Sequence, residues 1–258
     1  MTMPMVTTEQ VEAFMLVFLR VSALIATVPI LGDRSVPARV KAGLSFLVAA
    51  LLYPMVPMPT AGACEDVFAL FLRMTGEVMI GAVIGMIARL IFAGIQLAGQ
   101  LIGFQMGFAI VNVIDPAFSL QVSIIAQFQY LIALLLFLSL NGHHMFLYAV
   151  AESFRILPPL AFHFSGGLMQ AITGFVRDMF EIGIKVGAPI IAILFFMSVG
   201  LGLVARTVPQ INIFIVGFPL QIAIGLIGVG VTMPYFVGMI EKYIIQMERE
   251  ITVVLSLM

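Results

Sequence analysis

Ionisable groups are the residues that could do chemistry in this chain, and they are few: 12 Lys+Arg, 13 Asp+Glu and 3 His among 258 residues. Charged residues make up 10% of the sequence, against about 25% in an average soluble protein. Inside an apolar segment such a group is expensive and marks a functional site unless it is paired. Arg73 and Glu77, Arg177 and Glu181, and Glu181 and Lys185 each stand four residues apart, the spacing that sets two side chains on one helix face. These sets are expected to neutralise each other. Arg20, Arg89 and Asp115 have no such neighbour. They read as unpaired intramembrane charges, open to intersegment pairs, to partner contacts or to lining water.

Catalytic chemistry finds no footing. His143 and His144 are adjacent, so on a helix their side chains are expected to diverge, and His163 is distant. A structural or catalytic zinc needs three or four converging ligands, so no metal is expected. The lysines that could belong to a phosphate loop are followed by Ala42, Val186 and Tyr243, whereas the loop requires Ser or Thr there. A Gly-x-Ser-x-Gly elbow is also missing. No catalytic residue and no cofactor are expected, and the reading is a non-enzyme. A formal net charge of -1 offers no basic surface to nucleic acid. The single cysteine, Cys64, excludes an intramolecular disulfide.

The elements that must position these groups are hydrophobic. Apolar residues are 62% of the sequence and mean hydropathy is +1.18, which predicts an all-α membrane protein of about six hydrophobic segments, kinked helices and helical hairpins among them. The N-terminus carries Glu9 and Glu12 where a signal peptide is basic, so the first segment, Val11 to Leu31, is expected to be retained. A basic turn with Arg34, Arg39 and Lys41 leads to a second segment, Val40 to Val56, which ends in Pro54, Pro57 and Pro59. Val67 to Gln105 is one apolar run. As a single helix it would be about 58 Å long, twice the hydrocarbon core. It either runs far beyond the bilayer or breaks near Arg89 or Gly94.

Val122 to Leu140 is a further span, ended by Asn141, Gly142, His143 and His144, and a short apolar stretch, Met145 to Phe154, follows. Two long arms, Leu168 to Val204 and Ile211 to Ile240, contain Pro189, Pro219 and Pro234 and are joined by a turn at Arg206, Pro209 and Gln210. The basic turn at Arg34 votes for the cytoplasm. Six spans then place the C-terminus outside, which Lys242 and Arg249 oppose.

Gly81 and Gly85, and Gly99, Gly103 and Gly107, recur every four residues. Such glycines let another backbone approach one helix face, either within the chain or from another subunit. Between Gln105 and Gln121 lies a stretch with Met106, Gly107, Phe108, Ile110, Asn112, Asp115 and Pro116. It reads as a loop at membrane depth, apolar and deformable enough to seal a pore while yielding to a passing chain.

GQLIGFQMGFAIVNVIDP at Gly99–Pro116 and ARTVPQINIFIVGFPLQ at Ala205–Gln221 resemble the R/T-type inner-membrane subunit of the type III secretion export-gate family, flagellar branch. Agreement extends to Arg20 and Pro29, to the Arg34, Pro37, Arg39 turn, and to Asn141-Gly142-His143-His144. The resemblance implies one export-gate domain, 1–258, with a P-subunit-like part at 1–167 and a Q-subunit-like terminal hairpin at 168–258. It implies a helical, pore-bearing assembly of the bacterial inner membrane and flagellar basal body, in which segments need not lie as simple bilayer spans. P-type, Q-type and B-type subunits are the implied partners, lipid surrounds the assembly, and unfolded flagellar proteins are the implied cargo. Gln105 to Gln121 maps onto the family's channel plug, and the turn with Arg206, Pro209, Gln210 and Asn212 onto the Q-like hairpin. Two other expectations fit the composition: the homologous subunit of a virulence system, and a small-solute or ion transporter relaying through Arg20, Glu77, Arg89, Asp115 and Glu181. A purely structural membrane scaffold is a further one.

Overall fold

The computed structural model describes residues 7–33, 35–56, 67–108, 123–159, 161–208, 210 and 213–258. Among them there are helices and no strands. Helix α1 spans Thr8–Thr27, α2 Ala38–Leu52, α3 Val67–Gln105, α4 Ile124–Ser139, α5 Gly142–Ile156, α6 Gly166–Thr207 and α7 Ile213–Leu257. A single 3-10 turn, Tyr53–Met55, extends α2 where Pro54 stops the α-helical ladder.

Local chemistry sets the ends. The Thr7 hydroxyl accepts from the Gln10 amide at 3.3 Å, and the Gln10 side chain accepts from the Thr7 amide at 3.1 Å. This reciprocal capping box satisfies two donors that would otherwise be orphaned. At its other end α1 stops at Val28, which is extended (φ -63°, ψ 135°) because the ring of Pro29 disfavours helical geometry in its predecessor. Asn141 sits in the left-handed region (φ 56°) between α4 and α5.

Among the described residues five helices are long and apolar enough to cross a membrane, or up to six if α4 and α5 are counted together as one span. Of the two alternatives for Val67–Gln105, an overlong helix or a break, the structure shows the first: α3 is one continuous 39-residue helix. Neither Arg89 nor Gly94 removes a backbone donor, and no proline lies in this run, so the hydrogen-bond ladder has no reason to stop. The arms of the terminal hairpin are longer than their apolar stretches, at 42 residues for α6 and 45 for α7. Helix α7 runs past Ile240 to Leu257 because Ile240, Ile244, Met247, Ile251 and Val254 recur at helical spacing and are all buried.

Two compact units form along the chain. The first comprises described residues within 1–90, 141–175 and 244–258, the second those within 91–140 and 176–243.

In the first unit the chain end is pinned by backbone. The Ser165 hydroxyl donates to the Leu257 carbonyl at 2.6 Å and the His163 amide to the Met258 carbonyl at 2.7 Å. The same Ser165 hydroxyl accepts from the Leu168 amide at 3.1 Å and so opens α6. In the second unit Phe92 meets Tyr130 and Phe137 edge-on at 5.6 and 5.8 Å, holding α3 to α4.

Candidate functional site

Arg20 is the largest fully buried side chain in the first unit, at 0% exposure. It has no partner on its own helix, and of the roles the sequence leaves open for it the structure shows an intersegment pair, so it is not an unpaired intramembrane charge. Its Nε donates to Glu77 Oε2 at 2.6 Å, and Glu77 is itself 1% exposed. Nη1 donates to the Ser153 hydroxyl at 3.1 Å and to the Leu157 carbonyl at 3.0 Å, while the guanidinium carbon lies 4.1 Å from the centre of the Phe154 ring. The network joins α1, α3 and the end of α5. Burying one ion costs several kcal/mol, and only close pairing with further hydrogen bonds offsets it; every contact here serves that need.

The local pairing expected for Glu77 is therefore replaced by a long-range one. Arg73 turns instead to Glu12 of α1 at 3.4 Å. Position decides the exchange: Arg73 is partly exposed, so it does not require the buried carboxylate that Arg20 does. In the second unit Lys185 does pair with Glu181, whereas Arg177 contacts its neighbour Asp178 at 3.2 Å. Arg89 is exposed on α3, and among the described residues it makes no ion pair. Asp115 lies outside the described residues.

His143 and His144 correct a second expectation. Their ring centres are 4.2 Å apart, tilted by 50°, rather than divergent. Both sit in the first turn of α5, directly after left-handed Asn141, where no preceding turn forces the side chains apart. Among the described residues no three His, Cys, Asp or Glu side chains converge on a common point.

The glycine series lies against other segments of the same chain. A Cβ on Gly81 would run into the Arg20 carbonyl and one on Gly85 into Thr27, both on α1. Gly99 faces the Ala126 backbone and Gly103 faces Ser123, whose hydroxyl donates to the Gly99 carbonyl at 3.3 Å. Each glycine removes a side chain where two segments touch, so the close approach is intramolecular.

Gly107 differs from these four. The Gly107 amide donates to Phe104 at 3.0 Å and the Phe108 amide to Gly103 at 3.1 Å, with Gly107 at φ +89°. This pair of bonds is the Schellman arrangement, which ends a helix on a left-handed residue that glycine adopts without strain. Of the loop residues singled out from the sequence, Gln105 is therefore the last residue of α3. Met106 is fully buried, and Phe108 packs against the same cluster. Met106 faces into its own protein and not toward a passing chain, because the helix stop turns it onto Ile102, Ile125, Ile190 and Leu194. Ile110, Asn112 and Pro116 lie outside the described residues, as do Pro209 and Asn212 of the hairpin turn; Arg206 and Gln210 are exposed.

The charge network has no sequence signal beyond two opposite charges in separate apolar segments. Met106 carried a signal pointing elsewhere, since methionine beside glycine in a loop reads as deformable until the helix stop is seen.

Comparison with known proteins places this architecture. The sequence pattern of the bacterial export proteins, family 1, matches residues 11–247. A flagellar biosynthetic protein FliR of Bacillus subtilis (strain 168) is 40% identical over 218 residues, which are 83% of this chain and 83% of the relative. The FliR proteins of Escherichia coli (strain K12) and Pectobacterium carotovorum subsp. carotovorum are 35% and 34% identical. The matches take in 84% and 87% of this chain and 82% and 85% of those relatives. Over nearly its whole length, then, this chain belongs to the bacterial export proteins, family 1.

Proposed function

We propose that this chain is the R-type subunit of the flagellar protein export gate, the membrane channel through which unfolded flagellar proteins leave the cell during flagellum assembly. The observation that carries the reading is end-to-end kinship with proteins named for flagellar biosynthesis, together with the family match over residues 11–247. P-type and Q-type subunits complete the channel and a B-type subunit joins it, in the bacterial inner membrane at the flagellar basal body. Residues 1–167 correspond to the P-like part and 168–258 to the Q-like hairpin with its turn at Arg206 and Gln210. The subunit is not an enzyme: the driving energy comes from other components, and this chain contributes a wall and a gate. The plug is assigned to residues 105–121 by motif position; of these Gln105 ends α3 and Met106 is buried within this chain, so the helix stop at Gly107 precedes the rest of it.

The packing supports this reading over a solute transporter. A proton or ion relay needs charges that change partners, and Arg20 is enclosed by Glu77, Ser153, the Leu157 carbonyl and the Phe154 ring. Exposed Phe195, Phe196, Val199, Leu203, Ile215 and Val231 on the hairpin suit burial against other subunits as well as lipid.

Two measurements test the proposal. Purification in mild detergent from cells making the whole apparatus is expected to yield a defined heteromeric particle; a lone monomer that moves a small solute in liposomes would overturn it. Deleting Met106–Pro116 is expected to leave the particle assembled but leaking small ions. A leak-free, export-competent deletion would remove the plug from this chain.

A further inference from the structure

We infer that Gly225 of α7 is a positioning residue for the end of α3: it is the hollow into which Met106 seats, and it fixes where the chain leaves that helix. A Cβ at Gly225 would lie 2.6 Å from Met106 Cγ and 2.7 Å from both Sδ and Cε. The whole Met106 side chain therefore lies across this one glycine. Retreat is closed, because Met106 is fully buried in a cluster with Ile102, Ile125, Ile190, Leu194 and Val229, and a packed interior transmits a displacement rather than absorbing it.

Contacts one and two turns before Gly225 on α7 complete the seat. The Phe218 ring lies under Gly107, where a Cβ would come 2.7 Å from Cδ1. Gln221 donates from Nε2 to the Ser198 hydroxyl at 3.1 Å, tying α7 to α6, and that hydroxyl donates on to the Leu194 carbonyl at 2.9 Å. The helix stop at Gly107 is thus keyed to the hairpin: Met106 fills the hollow, Gly107 rests on Phe218, and the direction of Phe108 follows from both. Methionine suits the position, since its unbranched thioether conforms to a shallow hollow. A branched side chain could not lie along a bare backbone in that way.

The functional consequence rests on the gate reading above, so the test separates the two. In the complete apparatus, with Cys64→Ser to remove the native thiol, a Phe108→Cys probe is reacted with a soluble maleimide while ion leak is recorded. Gly225→Val is expected to raise the labelling rate about tenfold or more through overpacking, and to open a leak. Met106→Ala removes as many heavy atoms as Gly225→Val adds, so the double variant is expected to label at close to the reference rate. A merely destabilising change would lower the amount of assembled particle without this size-matched rescue. If Gly225→Val does not assemble, Gly225→Ala makes the same comparison with a smaller displacement. Labelling at the reference rate in an assembled Gly225 variant overturns the inference, as does a double variant labelling as fast as the single. Faster labelling with rescue but no leak upholds the seat and counts against the gate. A leaking Met106–Pro116 deletion beside unchanged labelling does the reverse.

Discussion

Both compact units bring helices together over glycines, Gly81 and Gly85 in the first and Gly99 and Gly103 in the second, but among the described residues only the first adds a buried ion pair. In the first, α1, α3 and α5 converge on a buried cation, Arg20, whose donors reach Glu77, Ser153 and the Leu157 carbonyl at 2.6 to 3.1 Å. In the second, α3 packs on its neighbours through bare backbone at Gly94, Gly99 and Gly103 and through the Met106 seat on Gly225. A charge network is directional and intolerant: it specifies one arrangement, and losing one member strands another in a low dielectric. Shape packing is graded, so each added atom costs an increment. The region that fixes the subunit's N-terminal helix combines the two, since Gly81 and Gly85 also meet α1 there. The region from which the proposed plug departs uses the second, which can yield by small steps.

The largest effect should come from breaking the charge network. Arg20→Ala removes the ionic partner of a buried carboxylate, and such a loss costs about 3–5 kcal/mol. Thermal unfolding in detergent and the amount of assembled particle are both expected to fall sharply. Arg20→Met with Glu77→Leu removes both charges at similar volume and should restore much of that stability, since isosteric apolar replacement of a buried pair is often neutral. Restored stability with normal export marks the pair as structural; restored stability with lost export would reopen the charge-relay reading.

Steric breaks come next. Gly99→Val drives a branched side chain into the Ala126 backbone, which cannot rotate away as a side chain can. Overpacking of this kind costs about 1–3 kcal/mol. Gly81→Val meets the Arg20 carbonyl in the first unit and should cost more than Gly99→Val, because it also moves the backbone that carries the buried guanidinium. Equal costs, read as shifts in unfolding midpoint, would mean that the network tolerates displacement and that the contrast between the units is overstated.

Gly107→Ala is smaller. The residue holds φ +89°, and forcing an L-side chain into the left-handed region costs roughly 1–2 kcal/mol. The shift should appear in the second unit's amide exchange at positions 107 and 108, whose N–H groups donate the two closing bonds to Phe104 and Gly103. Protection unchanged at those positions would show that the helix stop does not depend on Gly107.

Much of this fold is legible in the sequence, and the reason is periodicity. Runs such as Val67–Gln105 contain no proline and no turn residues strong enough to stop a helix, so their extent is written locally. The charged end of α7 follows the same logic but hides behind its composition: hydropathy falls at Glu241 while the buried stripe through Ile244, Met247 and Ile251 continues. The site is less legible because its contacts are long-range. Arg20 and Glu77 are 57 positions apart, and nothing within a helical turn of either announces the other. Glu77 also had a plausible local partner in Arg73, and only burial decides between the two arginines. Met106 was misplaced because loop and helix stop share one vocabulary of glycine and apolar residues, and the difference lies in a backbone angle.

The smallest change sharpens the comparison by asking what a glycine does when no described residue of its own chain lies where its side chain would be. Gly200 on α6 and Gly230 on α7 are exposed, and an added Cβ would meet no atom of the described residues within 4 Å. In the isolated chain, alanine at either position should stabilise its helix by roughly 0.5–1 kcal/mol, since glycine loses the most backbone entropy on ordering. The same substitution reads differently if a second subunit packs there. A backbone approached by a partner would meet the new methyl group, and the gain in the isolated chain would become a loss of assembled particle. Unfolding of the purified subunit and yield of the complex, measured on Gly200→Ala and Gly230→Ala, are therefore expected to move in opposite directions. If both rise, these glycines face lipid, and the exposed apolar surface around them serves the membrane instead of a neighbouring subunit.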